Sequence, residues 1–203
     1  MSIGQNIKQR RSIRKFHSKK VPAKIINQIL TLAGWAPSAH NSQPWRFILI
    51  DDLSLKQKLA LSIVESWKKD LKKDGLKVDE NTRKERITRY SEAPVLILAC
   101  FSMEGLRKFS DSKRRSFERD LAVQSLGASL QTLLLSTHDL GLGACWYSAP
   151  GFCKQTVRKA LEIPDEIEPE AFIIIGYPDE TPLVPEKKKI DQYCFRNKWG
   201  MKL

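Results

Sequence analysis

Two apolar runs constrain this chain more than anything else in it. Val95-Leu96-Ile97-Leu98-Ala99-Cys100-Phe101 follows Pro94, and Ala171-Phe172-Ile173-Ile174-Ile175-Gly176-Tyr177 precedes Pro178. Neither alternates polar with apolar, so each predicts a strand buried on both faces. Such strands need helices on either side, and the sequence supplies them. Ile25, Ile26, Ile29, Leu30 and Ala33 repeat at helical spacing behind Pro22, whose missing N–H is harmless in a first turn. A second helix starts near Leu53–Ser54 and carries Leu55, Leu59 and Ile63. From Phe117 to His138 a long helix, capped by Gly141, is apolar nearly all round, which places it in a core or an interface. Trp45–Ile50 and Ala144–Tyr147 read as further strands, and a last helix carrying Val157 and Leu161 ends at Pro164. Lys68–Arg89 has few apolar anchors and reads as exposed helix and loop, and Ser102–Lys113 as a polar, irregular connection. The outcome is mixed α and β, with about four strands in one sheet.

A length of 203 residues suits one domain. Lys and Arg number 35 against 23 Asp and Glu, a formal charge of +12. That charge raises the question of nucleic acid. Most basic clusters, however, are interleaved with Asp70, Asp74, Glu85, Asp111 and Glu118, the pattern of solvated helix faces. No zinc finger, aromatic RNP pattern or GxxG clamp accompanies them, which argues against a nucleic-acid partner. Cys100 and Cys145 lie in apolar runs and read as reduced, buried hydrophobes, and no Cys–His spacing fits a metal site. The basic N-terminus has no signal-peptide core, and no apolar run approaches a membrane span, so the expected location is cytoplasmic.

The usual catalytic motifs are missing. There is no GxGxxG after the first strand, no GxxxxGK[ST] and no GxSxG. If the chain is an enzyme, a bound cofactor carries the chemistry. Three segments look unlike scaffold. Arg10-Arg11-Ser12-Ile13-Arg14-Lys15-Phe16 offers planar, multidentate donors suited to a phosphate, although a basic terminal arm is the simpler reading of it alone. Ala36-Pro37-Ser38-Ala39-His40-Asn41-Ser42-Gln43-Pro44-Trp45-Arg46-Phe47 packs amides and hydroxyls between prolines, either to read a polar ring edge or simply to turn. Gly141-Leu142-Gly143-Ala144-Cys145-Trp146-Tyr147-Ser148-Ala149-Pro150-Gly151-Phe152 ends in a glycine turn whose backbone N–H groups can approach a ligand.

In this order the three segments resemble the FMN-dependent nitroreductase superfamily. The resemblance runs through the EPEAFIIIGYP strand to Asn197-Lys198-Trp199-Gly200. Its closest flavour is the nitroreductase-like reductase domain of deazaflavin-coenzyme biosynthesis. The implied fold is α+β: a three-layer α/β/α sandwich around a central mixed, mainly antiparallel sheet of four to five strands. A single FMN-binding domain would span residues 1–203, with residues 187–203, rich in Tyr193, Phe195 and Trp199, as a tail packing on the partner subunit. The resemblance implies a homodimer with FMN at its interface and NADH or NADPH as electron donor. It places Arg10, Arg11 and Ser12 at the phosphate and ribityl oxygens and Arg14 at the pyrimidine edge of the flavin. Pro37, Ser38, Ala39 and Asn41 would come from the second subunit, with Gln43 as a further amide contact. Pro150 lacks an N–H, so Gly151 alone would donate to the flavin nitrogen. Lys187 and Lys188 would be the terminal phosphate contacts.

The activity implied is transfer of electrons from the nicotinamide to a small oxidised acceptor (nitroaromatic, quinone or enone-like) by a ping-pong mechanism without a side-chain nucleophile. Alternatives are a biosynthetic flavoprotein that reduces a deazaflavin precursor or consumes its own FMN. From another class come a non-catalytic flavin-binding protein and a basic nucleic-acid-binding module, which a steep salt dependence of RNA binding would reveal.

Overall fold

A computed structural model describes residues 2–203. Its sheet has four strands: β1 (Trp45–Ile50), β2 (Val95–Ser102), β3 (Gly143–Tyr147) and β4 (Ile167–Gly176), in the spatial order β1-β2-β4-β3. All three pairings are antiparallel. The expected mainly antiparallel sheet is thus found with four strands, and among the described residues parallel pairing is confined to an isolated bridge between Ser12 and Ala144.

Side-chain alternation divides β2 and β4 between two cores. Val95, Ile97, Ala99 and Phe101 join Ala171, Ile173 and Ile175 on one face, packed by α2 (Ala23–Ala33) and α5 (Ser112–Asp139). Leu96, Leu98 and Cys100 join Phe172 and Ile174 on the other, against α3 (Leu53–Lys73), α4 (Glu80–Ser91) and α7 (Lys154–Ala160). This is the three-layer α/β/α arrangement, with both apolar runs buried on both sides as their sequence requires.

Three local readings change. A short helix, α1 (Ile3–Gln9), precedes α2 and begins with a reciprocal capping box between Ser2 and Gln5. Pro22 is the N-cap of α2 rather than a residue of its first turn. The helix and loop expected over Lys68–Arg89 are found as the end of α3, a short connection and most of α4, the two helices packing together as a hairpin. A four-residue helix, α6 (Ala149–Phe152), stands where the glycine turn was expected. Beyond Gly176 the chain is irregular apart from a 3₁₀ turn at Ile190–Gln192, and Tyr193 and Trp199 remain 62% and 90% exposed on this single chain. Among the described residues no helix is long and apolar enough to cross a membrane.

Candidate active site

The arginine-rich segment is an extended arm laid along the start of β3. The Ile13 amide donates to the Ala144 carbonyl at 3.0 Å, and Glu180 accepts from the amides of Arg14 and Lys15. Gly143 permits the close approach: a Cβ there would lie 2.7 Å from the Cβ of Ile13. With Ile13 turned inward, the side chains of residues 10, 12 and 14 share a groove of about 730 Å³ with Lys187. Arg11 also lines it, but its guanidinium donates to the carbonyls of Lys8 and Arg10 at 2.7 and 2.8 Å, which braces the arm. Arg10 has no carboxylate partner among the described residues. Burial, then the charge of Arg10, holds the pKa of His138 below its usual value. Guanidinium groups, a hydroxyl and an ammonium around one groove form a donor set for a phosphate monoester. Lys188 stands outside it.

The second segment is a compact loop. Ser38 Oγ accepts from the Gln43 amide at 3.0 Å, and Gln43 Nε2 donates to Asn41 Oδ1 at 3.4 Å. His40, Asn41 and Gln43 all have positive φ, a conformation that costs energy in non-glycine residues and collects at functional sites. Pro37, Asn41 and Gln43 are exposed, while Ser38 and Ala39 are half-buried. The loop is tied to the N-terminal half of α5: the Ala39 amide donates to Ser125 Oγ at 3.1 Å, and His40 Nε2 lies 3.7 Å from Glu118 Oε1.

Helix α1, which leads into the arm, is tied to the other end of α5, where Asn6 Nδ2 donates to the Leu135 carbonyl at 3.3 Å and Arg10 shares a pocket with His138. At 1.5 Å of rise per residue, Ser125 and His138 are roughly 20 Å apart. One chain therefore does not bring its arm and its Pro37–Gln43 loop to the same place.

The third segment needs correction. Gly151 lies within α6 and its amide donates to the Ser148 carbonyl at 3.1 Å. The single donor expected for a flavin nitrogen is thus engaged in the chain's own helix. Pro150 is buried, and Gly151 lines an apolar groove on the α5 side. The Ser148 hydroxyl makes no cap hydrogen bond and borders both that groove and a second cavity beneath the α3–α4 hairpin.

Sequence reasoning missed Arg89. It reaches from α4 to within 5.0 Å of the Tyr147 ring centroid and shares a groove with Arg14, so it extends the cationic strip. Spacing along α4 offered no signal for this, because the neighbour that gives it meaning is on β3. Cys100 and Cys153 are not candidate nucleophiles: burial pushes Cys100 up to about 12 and Cys153 up to about 11.

This geometry has relatives. The Nitroreductase family matches residues 7–177. A protein of Methanothermobacter thermautotrophicus assigned as an NADH dehydrogenase/NAD(P)H nitroreductase is 30% identical over 186 residues, covering 90% of this chain and 80% of its own. A BluB-like flavoprotein from Clostridium difficile superposes with a TM-score of 0.79 at 27% identity, over 98% of this chain and all of the other. An iodotyrosine deiodinase bound to FMN and 3-iodo-L-tyrosine superposes with a TM-score of 0.74 at 26% identity, over 96% of this chain and all of that one. The chain belongs to the Nitroreductase family of oxidoreductases.

Proposed function

We propose that the protein is an FMN-dependent oxidoreductase that moves electrons from NADH or NADPH to a nitroaromatic, quinone or enone-like acceptor by a ping-pong mechanism. The observation that carries this reading is the groove joining Arg10, Ser12, Arg14 and Lys187 on a Nitroreductase-family fold. Its donor set fits FMN. When bound, FMN supplies the hydride relay between nicotinamide and acceptor. For a quinone the balance is NAD(P)H + H⁺ + quinone → NAD(P)⁺ + hydroquinone.

The chain's own residues bind, orient and tune. Arg10, Ser12 and Lys187 hold the phosphate and adjoining oxygens, Arg11 keeps the arm in shape, and Lys188 adds positive potential beside them. Arg14 lies at the pyrimidine edge, where a fixed cation favours developing negative charge. Pro150 and Gly151 form a wall rather than a donor. Pro37, Ser38, Ala39, Asn41 and Gln43 reach the site from a second copy, which the separation of loop and arm along α5 supports. The exposed tail aromatics pack on that copy in a dimer burying on the order of 2,000 Å² or more.

The purified protein should be yellow, release FMN on denaturation, scatter light as a dimer, and bleach anaerobically with NADH or NADPH. A colourless monomer that takes up no FMN overturns the reading.

A further inference from the structure

The cavity under the α3–α4 hairpin differs in kind from the cationic groove. It holds about 550 Å³, within the range of small-molecule sites, and its walls include Trp67, Tyr147 and Phe152. Two arginines one helical turn apart on α4 point charge into this aromatic space. The Arg86 guanidinium carbon lies 3.6 Å from the Trp67 ring centroid, and that of Arg89 lies 5.0 Å from the Tyr147 centroid. Among the described residues neither guanidinium pairs with a carboxylate, although Arg83 on the same helix takes both Glu65 and Glu80.

Burial, and then the like charge of Arg89, disfavour the charged form of Arg86. Such a pair lacks its counter-ion. Two carboxylates also border the cavity, but neither supplies it. Asp70 is held by Lys73 at 2.7 Å, and Asp74 is the exposed C-cap of α3. The cavity meets the redox site at both ends, since Arg89 also lines the groove of Arg14 and Ser148 also lines the groove of Gly151.

We propose that this cavity is the acceptor site and that the acceptor is a planar aromatic acid, its ring against Trp67 and Phe152 and its carboxylate or phenolate on Arg86 and Arg89. The assignment rests on the redox function proposed above. Charge-assisted, fork-shaped contacts of this kind discriminate an anion from its neutral isostere by about tenfold or more.

The probes are 4-nitrobenzoate and the uncharged 4-nitrobenzamide, titrated into the FMN-loaded protein by tryptophan quenching, with Trp67→Phe identifying the responding indole. The carboxylate should bind about tenfold tighter, and rising salt should shrink that advantage. Arg86→Met should shrink the difference to the part that Arg89 supplies, whereas Arg86→Lys should restore most of it. The same ratio should appear in kcat/KM. Equal affinities in the wild type, or an advantage undiminished by Arg86→Met, overturn the proposal. If Arg86→Met does not fold, the wild-type ratio and its salt dependence decide alone. Anaerobic bleaching by NAD(P)H without any acceptor tests the redox function separately. A chain that bleaches but ignores the carboxylate loses only this cavity's assignment. One that prefers the carboxylate but never bleaches loses the acceptor role as well.

Discussion

The arm at Arg10–Arg14 and the loop at Pro37–Gln43 carry most of the proposed contacts, yet they are held in opposite ways. The arm has one local brace, Arg11 on the carbonyls of Lys8 and Arg10, and its position comes from distant partners, Ala144, Glu180 and the open face of Gly143. The loop is built mostly from its own side chains, with Ser38 and Asn41 serving Gln43, and it touches the rest of the fold chiefly through Ser125 and Glu118. A change in the sheet should therefore disturb the arm and spare the loop. A change in the first half of α5 should do the reverse.

The harshest break of this contrast is Gly143→Val. A side chain there collides with Ile13 and lifts the arm, costing about 1–3 kcal/mol in stability. FMN affinity should fall by roughly a hundredfold as the phosphate contacts move together. Denaturant melts and flavin titration check both, and unchanged FMN binding would show that the arm tolerates displacement. Arg10→Ala comes next, leaving the arm in place while removing one cation. FMN should lose about ten- to a hundredfold in affinity, whereas riboflavin, which has no phosphate, should be unaffected. An equal loss for both flavins would make Arg10 structural. On the loop side, Ser125→Ala strands the Ala39 amide, costing about 1 kcal/mol in thermal stability and only a few-fold in FMN affinity.

The smallest effect lies away from both segments. Arg119 donates to both carboxylate oxygens of Glu168, and that contact holds the Glu168 carboxyl below its usual value of 4.5. The sign follows from the depressed folded value. The contribution is complete above the unfolded value, and it is lost as pH falls through the folded one. Arg119→Gln should lower the unfolding free energy from urea melts at neutral pH by about 0.5 kcal/mol after solvent screening, and the gap should close in acid. FMN affinity should not move. If it does, the cluster of Arg119, Lys154, Glu168 and Glu170 is coupled to the site through α6.

Sheet and core were readable wherever apolar residues ran together, as in β2, β4 and the apolar α5. What escaped was local order without an apolar signature. Helix α1 exposes all but Asn6, so its only sequence mark is the Ser2–Gln5 capping box. The α3–α4 hairpin presents lysines and arginines outward, and the role of Arg86 and Arg89 appears only once Trp67 and Tyr147 face them. In the site, the arm and the loop stood out by composition. The amide of Gly151 was misjudged because Pro150 and Gly151 suggest an open turn, whereas Pro is also at home in the first turn of a helix such as α6. Gly143 showed the converse, a glycine whose purpose lies in the Ile13 side chain it admits.

The arm also has a place in time. Asn6 and Asp139, which meet where α1 rests on α5, are 133 residues apart in the sequence. During synthesis the arginines of the arm are made well before the strand they dock on, which follows more than half a chain later. Closing so long a loop adds an entropic penalty, so the sheet and α5 condense before the arm is pinned. The nascent protein thus acquires its shape before its arm is docked. On the function proposed above, loading of the cofactor becomes a late step in maturation, and chains with an undocked arm are the species that proteases would find first.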